Sequence, residues 1–259
     1  MFFLQRYNPA VLAWEYTYVR DEPTSYSFFS EPQPGTLWIM GHGSYYDRTY
    51  LLNQPEGMSP GPDLPFGMDR ACAVAINDTH TLMAGGHFRL FSFVIANYLS
   101  NTVAIFSSTG GSTGIVHSWT FIYDWTQGEW SMMADMNEGR YYHTCGLVTN
   151  PATGEREVVA LPGVNNEQTT EIYNIDSNAW RYGSDYPEDT DYVRVAQDKD
   201  TFYAFGGWPA SRDSYSDTIY RFDEATYEFV LLDQRLPYEA HEALGLIVSM
   251  NNVVATKFD

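Results

Sequence analysis

Cysteine and positive charge are the two features that this 259-residue sequence has least of. Its two cysteines are too few for the disulfide scaffold of a small secreted domain. Lysine and arginine number 14 against 33 aspartates and glutamates, which gives a formal net charge of −19. Such a surface repels phosphate groups, so the composition argues against nucleic-acid and membrane-surface partners.

The sequence also lacks the usual signals of export and of metal or nucleotide chemistry. The start MFFLQRYNP has no basic segment and no small-residue cleavage site, so we expect a cytoplasmic protein. No two of the six histidines have the i, i+4 spacing of a helical zinc site, and no Cys–His cluster has ligand spacing. GGSTG at 110–114 lacks the lysine of a phosphate loop. We therefore expect no catalytic residue, no cofactor and no metal.

Aromatic residues are abundant, at 16% of the chain, which favours strands over helices. An aromatic residue followed by Asp or Asn recurs six residues ahead of a second large apolar residue. The copies are Tyr7-Asn8 before Trp14, Tyr123-Asp124 before Trp130 and Phe222-Asp223 before Phe229, with Leu52-Asn53 before Met58 as a degenerate copy. Ile175-Asp176 before Trp180 is interpreted as a copy shortened by two residues. Spacing that recurs in this way indicates an internal repeat.

Two further types of sequence segment recur in the same repeat as the aromatic pairs. Short apolar runs end in glycine at 37–43, 81–87, 158–164 and 202–208, and a fifth run at 252–258 has lost its glycines. A third type of segment precedes these runs, at 67–76, 139–148, 190–198 and 238–248, and more faintly at 24–31. Each unit of about 45 residues thus contains four short strand-like segments, which is typical of a β-propeller blade.

The order of these elements resembles the kelch repeat, in which a Gly-Gly pair, a Tyr-Asp pair and a Trp follow one another. The best copies run from 82 to 130 and from 203 to 229. The family's arginine and histidine beside the first strand are similar to Arg140 and His143. Gly41-His42-Gly43 and Pro162-Gly163 depart from the double glycine. The resemblance covers nearly the whole chain.

Membership of the kelch-repeat β-propeller family implies an all-β fold of four-stranded blades, with strands named A to D outward from the axis. We predict one domain over 1–259 with five blades. The fifth blade combines N-terminal strands C and D (Phe2–Tyr7 and Trp14–Val19) with C-terminal strands A and B (Ala243–Ser249 and Asn252–Phe258). Pairing the two termini removes exposed sheet edges. The alternative is an incomplete six-bladed ring.

An apolar insertion at about 88–108 interrupts the repeat. Three interpretations compete. A membrane span is disfavoured because Arg89, Asn97 and Asn101 interrupt the segment. A functional loop is reasonable, since long loops in compact domains usually have a function. Translated non-coding sequence is slightly favoured, because removing the segment restores the spacing.

The candidates for chemistry have simpler interpretations. Cys72 and Cys145 fall at matching places in consecutive repeats and are interpreted as two small buried hydrophobic residues, not as a redox pair. His143 and His241 lie beside strand A and are interpreted as hydrogen-bonded structural residues. The copper site of galactose-oxidase-like propeller enzymes requires a Tyr and His set that is not evident.

The surface loops are the remaining candidates. In an antiparallel blade, the B–C and D–A loops emerge on the same face, and here several combine aromatic residues with Arg or His. The candidate partner-binding residues are Tyr45, Tyr46, Arg48, His87, Arg140, Tyr141, Tyr142, Trp208 and Arg212. Tyr, Trp and Arg are frequent interface hot spots. We therefore expect a non-enzymatic module that binds a protein partner with a basic segment. The alternative is a galactose-oxidase-like or other propeller enzyme with a site at the central channel.

Ring closure gives a first test. Deleting residues 1–20 should strip two strands from the closing blade and abolish soluble folded protein, because unpaired backbone is exposed. Deleting residues 88–107 should leave the fold intact, because shortening a loop has a small entropic effect. Soluble yield and cooperative unfolding by circular dichroism measure both. A tolerated N-terminal deletion together with a disruptive loop deletion would show that the proposed register is wrong.

Overall fold

A computed structural model describes most of the chain. The described residues are 2–8, 13–20, 28–33, 36–41, 47–53, 57–88, 94–96, 103–105, 115–164, 166, 168–210 and 214–236. Strands are the only regular elements in these ranges. No helix in the described part of the chain is long and apolar enough to cross a membrane.

The strands are short and follow one another closely. In chain order they are β1 (Phe2–Asn8), β2 (Ala13–Arg20), β3 (Phe28–Gln33), β4 (Thr36–Met40), β5 (Tyr50–Asn53), β6 (Gly57–Pro60), β7 (Met68–Asp69), β8 (Cys72–Asn77), β9 (His80–Ala84), β10 (His87–Phe88), β11 (Val94–Ala96), β12 (Val103–Ile105), β13 (Ile115–Val116), β14 (Thr120–Asp124), β15 (Glu129–Met132), β16 (Cys145–Thr149), β17 (Arg156–Ala160), β18 (Glu171–Asn174), β19 (Ala179–Tyr182), β20 (Thr190–Asp191), β21 (Arg194–Asp198), β22 (Thr201–Phe205), β23 (Trp208–Pro209), β24 (Ile219–Asp223) and β25 (Glu228–Leu231).

Four antiparallel sheets of four strands form the body of the molecule. Blade 1 is β3–β4–β5–β6, blade 2 is β8–β9–β14–β15, blade 3 is β16–β17–β18–β19, and blade 4 is β21–β22–β24–β25. The first strand of each blade contacts the first strand of the next, as expected for inner strands around an axis. The prediction of an all-β propeller is confirmed, with four complete blades among the described residues.

The N-terminal segment forms a separate hairpin, β1–β2, in which Tyr7 lies opposite Trp14. This pairing matches the predicted strands C and D of a further blade. The predicted partner strands, Ala243–Ser249 and Asn252–Phe258, lie outside the described residues.

The recurring aromatic spacing has a direct structural cause. In the C–D hairpins of blades 2, 3 and 4, an aromatic residue near the end of strand C lies opposite an aromatic residue near the start of strand D. The pairs are Tyr123 with Trp130, Tyr173 with Trp180, and Phe222 with Phe229. Directly opposed aromatic side chains stabilise a strand pair. The recurring spacing of the aromatic residues therefore reflects contacts between strands C and D.

The Asp or Asn of each pair organises the turn. Asp124 Oδ1 accepts backbone N–H bonds from Thr126 and Gln127, at 2.7 and 3.2 Å. The turn ends at Gly128, whose φ of 72° is left-handed and whose N–H donates to the Asp124 carbonyl at 2.8 Å. Asp and Asn favour such turns because their short side chains bond to nearby backbone.

One part of the predicted register is wrong. Trp180 pairs with Tyr173 and not with Ile175, which lies in the turn with Asp176. Asn174 occupies the Asp position, and its Oδ1 accepts the Ser177 N–H at 2.8 Å. The spacing in this blade is therefore complete and not shortened by two residues.

The glycines that follow strand B adopt backbone conformations that exclude a side chain. Gly86 has a φ of 103°, and a Cβ there would lie 3.0 Å from the Asp69 carbonyl oxygen. Gly207 has a φ of 102°, and its Cβ would lie 2.8 Å from the Asp191 carbonyl oxygen. A side chain at either position would conflict with both the left-handed backbone and the neighbouring loop.

Polar side chains cross the seams between blades. Trp180 of blade 3 donates its indole N–H towards Thr120 Oγ1 and the Ala134 carbonyl in blade 2, at 3.1 and 3.0 Å. The Gln197 amide of blade 4 bonds both the N–H and the carbonyl of Leu147 in blade 3, at 2.8 and 2.7 Å. Trp180 therefore spans the seam between blades 2 and 3.

The two cysteines do not act as independent hydrophobic residues. Cys72 in β8 and Cys145 in β16 are disulfide-bonded, with Cα atoms 5.6 Å apart. They join the inner strands of blades 2 and 3 across 73 residues of sequence. The interpretation that they are not a redox pair is therefore wrong: strand packing, which sequence spacing does not show, brings them together.

The insertion lies between β10 and β13. Its described residues include the antiparallel pair β11–β12, in which Val94 lies opposite Ile105. β10 also pairs with β7 and β13, so both ends of the insertion belong to one three-stranded sheet.

Close packing at the seam of blades 3 and 4 gives a stability test. Gly146 in β16 faces the Phe202 ring of β22, and a Cβ at Gly146 would overlap that ring. We expect Gly146→Ala to lower the free energy of unfolding by roughly 1–3 kcal/mol through overpacking. Denaturant titration measures the change. In a Phe202→Leu background the added cost should be smaller, and an equal cost in both backgrounds would contradict the proposed contact.

Candidate binding face

The B–C and D–A loops meet on one side of the molecule, as predicted. In three successive positions a D–A loop pairs with the following B–C loop. The pairs are Asp69 with His87, Tyr141 with Val164, and Asp191 with Trp208. We call this side the loop face.

A left-handed residue precedes the inner strand of blades 2, 3 and 4 at the loop face. Arg70, Tyr142 and Tyr192 have φ values of 57°, 56° and 58°, and they stand at equivalent places ahead of β8, β16 and β21. This conformation is uncommon for residues other than glycine. Residues in sparsely populated backbone regions cluster at functional sites.

Aromatic rings connect these positions into one group. Tyr142 lies 4.3 Å from Tyr192 and 5.3 Å from Tyr141, between ring centroids. His87 lies 5.5 Å from Tyr141, and the Arg70 guanidinium lies 4.7 Å above the Tyr142 ring. We call these five residues the aromatic cluster. It extends across blades 2, 3 and 4.

Arg70 is held in place by a buried carboxylate. Its Nη1 lies 2.9 and 3.1 Å from the two oxygens of Asp69 and 3.2 Å from His87 Nδ1. Asp69 is fully buried. The charge of Arg70 is therefore largely compensated, and the guanidinium holds the Tyr142 ring by a cation–π contact on one face.

Arg140, one of the predicted surface residues, is completely buried. Its guanidinium donates to Glu171 Oε1 at 2.8 Å and to the carbonyls of Leu161 and Thr169 at 3.1 and 2.8 Å. Burial lowers the pKa of Arg140, whereas the Glu171 carboxylate raises it. Arg140 therefore joins the D–A loop to strand C of blade 3, and its side chain does not contribute to the loop face.

Glu171 completes this network. Its Oε2 accepts the Asn137 backbone N–H at 2.6 Å, and its Oε1 accepts the Glu138 N–H at 3.0 Å. One buried carboxylate thus fixes Arg140 and the loop that carries Tyr141 and Tyr142.

The other predicted residues are distributed more widely. Trp208 is 49% exposed and its ring lies 5.6 Å from that of Tyr215. Arg48 is exposed in the B–C loop of blade 1. Tyr45, Tyr46 and Arg212 lie outside the described residues. His87, Tyr141 and Tyr142 are therefore the predicted residues that the structure brings together.

The electrostatic character of the loop face is not basic. Burial and the nearby His87 lower the pKa of His117 to about 4, so this histidine is neutral at neutral pH. In the D–A loop before blade 4, Asp185 and Asp189 are exposed. Burial raises the pKa of Asp135, another acidic residue of a D–A loop.

Sequence reasoning missed Arg70 and Tyr192. They share a backbone conformation with Tyr142, but the three residues are not all of one type, so no sequence motif identifies them. The available signal was their constant position just ahead of strand A.

A second cluster lies in the core between blades 2 and 3. His143 is buried beside Cys72 and Cys145, and potential ligand atoms of the three residues lie within 4.8 Å of one another. Among the described residues, neither ring nitrogen of His143 has a hydrogen-bond partner. Burial, and secondarily Arg140, hold the pKa of His143 well below its usual value, although the Ala84 backbone opposes this slightly. The burial of His143 agrees with its interpretation as a structural residue, although its contact with the Ala84 backbone is poorly aligned for a hydrogen bond. His241 lies outside the described residues.

Comparison with known proteins supports the fold alone. No protein-family profile matches the chain, and no curated protein sequence is significantly similar. A solved structure described as "Structure of YjhT" superimposes with a TM-score of 0.63 at 14% identity, over 89% of this chain and 72% of that chain. At this identity, the similarity shows a shared propeller fold.

The buried ion pair gives a second stability test. Glu171→Gln should leave Arg140 as an uncompensated buried charge and lower the free energy of unfolding by roughly 3–5 kcal/mol. Glu224→Gln is the matched control, because Glu224 forms a partly exposed pair with Arg221 at 3.0 Å. That change should cost no more than about 1 kcal/mol. Denaturant titration of both variants measures the difference, and equal effects would contradict the structural role of Glu171.

Proposed function

We propose that this protein is a non-enzymatic binding module that recognises a segment of a protein partner at its loop face. The aromatic cluster is the main support for this proposal. Propeller folds commonly mediate protein interactions, and Tyr and Arg are among the residues that contribute most to interface affinity.

The cluster is arranged like a preorganised binding surface. Asp69 fixes Arg70, Arg70 supports Tyr142, and the Arg140–Glu171 pair anchors the loop of Tyr141 and Tyr142. Rings held in this way lose little conformational freedom when a partner binds. Tyr141, Tyr142 and Tyr192 are only partly buried, so some of each residue's surface is accessible to solvent.

Charge favours a basic partner segment. The net charge of the chain is −19, and Asp185 and Asp189 are exposed in the D–A loop that leads to Tyr192. Complementary potentials accelerate association and disfavour acidic competitors.

We also propose that the ring is kelch-like and has five blades. The β1–β2 hairpin, with Tyr7 opposite Trp14, has the same cross-strand aromatic pair as the C–D hairpins of blades 2 and 3. The sequence pattern at Ala243–Ser249 and Asn252–Phe258 supplies the two strands that such a blade requires.

Selection from a random peptide library displayed on phage tests the binding proposal. Peptides selected on the full chain should be enriched in Lys and Arg, and their affinity should fall as salt rises. Tyr142→Ala and Tyr192→Ala should each weaken binding about tenfold or more, which corresponds to about 1.4 kcal/mol. Fluorescence polarisation measures the affinities.

Val230→Ala is the control, because Val230 is 46% exposed on β25, the outer strand of blade 4. It should bind selected peptides as the unaltered protein does. Circular dichroism confirms that each variant is folded. Selection of acidic peptides, or binding that is insensitive to both cluster substitutions, would contradict the proposal.

A further inference from the structure

The core cluster of Cys72, His143 and Cys145 combines three good metal ligands in one buried place. Cysteine sulfur and imidazole nitrogen are the donors that zinc prefers in proteins. In a tetrahedral zinc site such donors lie about 4 Å or less from one another. Here they lie within 4.8 Å, and all three residues are buried.

His143 provides the independent indication of a ligand. It is 3% exposed, and neither ring nitrogen has a hydrogen-bond partner among the described residues. Buried polar groups are nearly always hydrogen-bonded, and each exception requires a physical explanation, such as an ion. An imidazole that lies against two sulfur atoms, with only a poorly aligned contact to the Ala84 backbone, has the surroundings expected of a metal ligand.

We propose that, when Cys72 and Cys145 are reduced, these two residues and His143 bind one Zn²⁺ ion between blades 2 and 3. Two thiolates and a neutral imidazole balance the charge of a divalent cation. A neutral complex suits this site, which is surrounded by apolar residues of the core, including Ala84 and Met136. The same ligands around monovalent copper would leave a net negative charge in the core.

The zinc-bound form and the disulfide form exclude each other. A thiol reductant breaks the bond between the two sulfur atoms, yields two cysteine thiols and is itself oxidised to a disulfide. Each thiol then loses one proton as zinc binds. Both forms connect β8 to β16, so the seam between blades 2 and 3 is crosslinked in either state. The redox environment would select which crosslink is present.

Cobalt binding by the full-length protein tests this site, because Co²⁺ replaces Zn²⁺ and its bonds to thiolates absorb strongly in the near ultraviolet. Protein reduced with a phosphine should bind one equivalent of Co²⁺ with a thiolate charge-transfer band, and added Zn²⁺ should remove that band. The disulfide form and Cys72→Ser should lack the two-thiolate spectrum. His143→Ala should weaken cobalt affinity by on the order of a hundredfold or more.

His80→Ala is the matched control, because His80 is a partly exposed histidine that lies outside the cluster. It should bind cobalt as the unaltered protein does. Circular dichroism and thiol titration establish that the reduced protein is folded and has two free thiols. The proposal is overturned if reduced protein gives no charge-transfer band, if reduction alone unfolds the chain, or if His143→Ala binds cobalt with unchanged affinity.

Discussion

A sheet of four short strands cannot expose both of its faces to solvent. The other features of this molecule depend on how neighbouring sheets pack against one another. The seams combine apolar packing with specific polar contacts. Trp180 reaches from blade 3 into blade 2, and Gln197 bonds the backbone of Leu147 across the next seam. These contacts fix the position of one blade on its neighbour, because each side chain bonds backbone or hydroxyl groups at defined points.

The same seams determine what the loop face can present. Glu171 is a core residue of blade 3, yet it accepts bonds from the loop that carries Tyr141 and Tyr142. Asp69 has a similar relation to Arg70 in blade 2. Rigid blades therefore hold the rings of the aromatic cluster at fixed separations. The left-handed backbone conformation ahead of the inner strand recurs in blades 2, 3 and 4, whereas the residue type changes between Arg70 and the tyrosines Tyr142 and Tyr192.

Local patterns in the sequence predict the blades but do not predict the contacts between blades. The spacing of Tyr123 and Trp130 indicated a hairpin because those residues are opposed within one sheet. Tyr173-Asn174 and Ile175-Asp176 are adjacent in the sequence, and only the strand pairing shows that the first of them lies opposite Trp180. Cys72 contacts Cys145 because two blades pack together. Neither the spacing nor the composition of the sequence predicts that packing. Arg140 was placed on the surface because its type is common at interfaces, whereas Glu171 draws it into the core.

The bond between Cys72 and Cys145 also changes the connectivity of the apolar insertion. Residues 88–114 lie between the two cysteines, so they belong to a closed covalent ring. A protease that cut the chain once within this ring would leave a single covalent molecule under oxidising conditions. The two fragments would separate only after reduction and unfolding, since β9 and β14 also pair across the insertion. The insertion can therefore be nicked without releasing either half of blade 2.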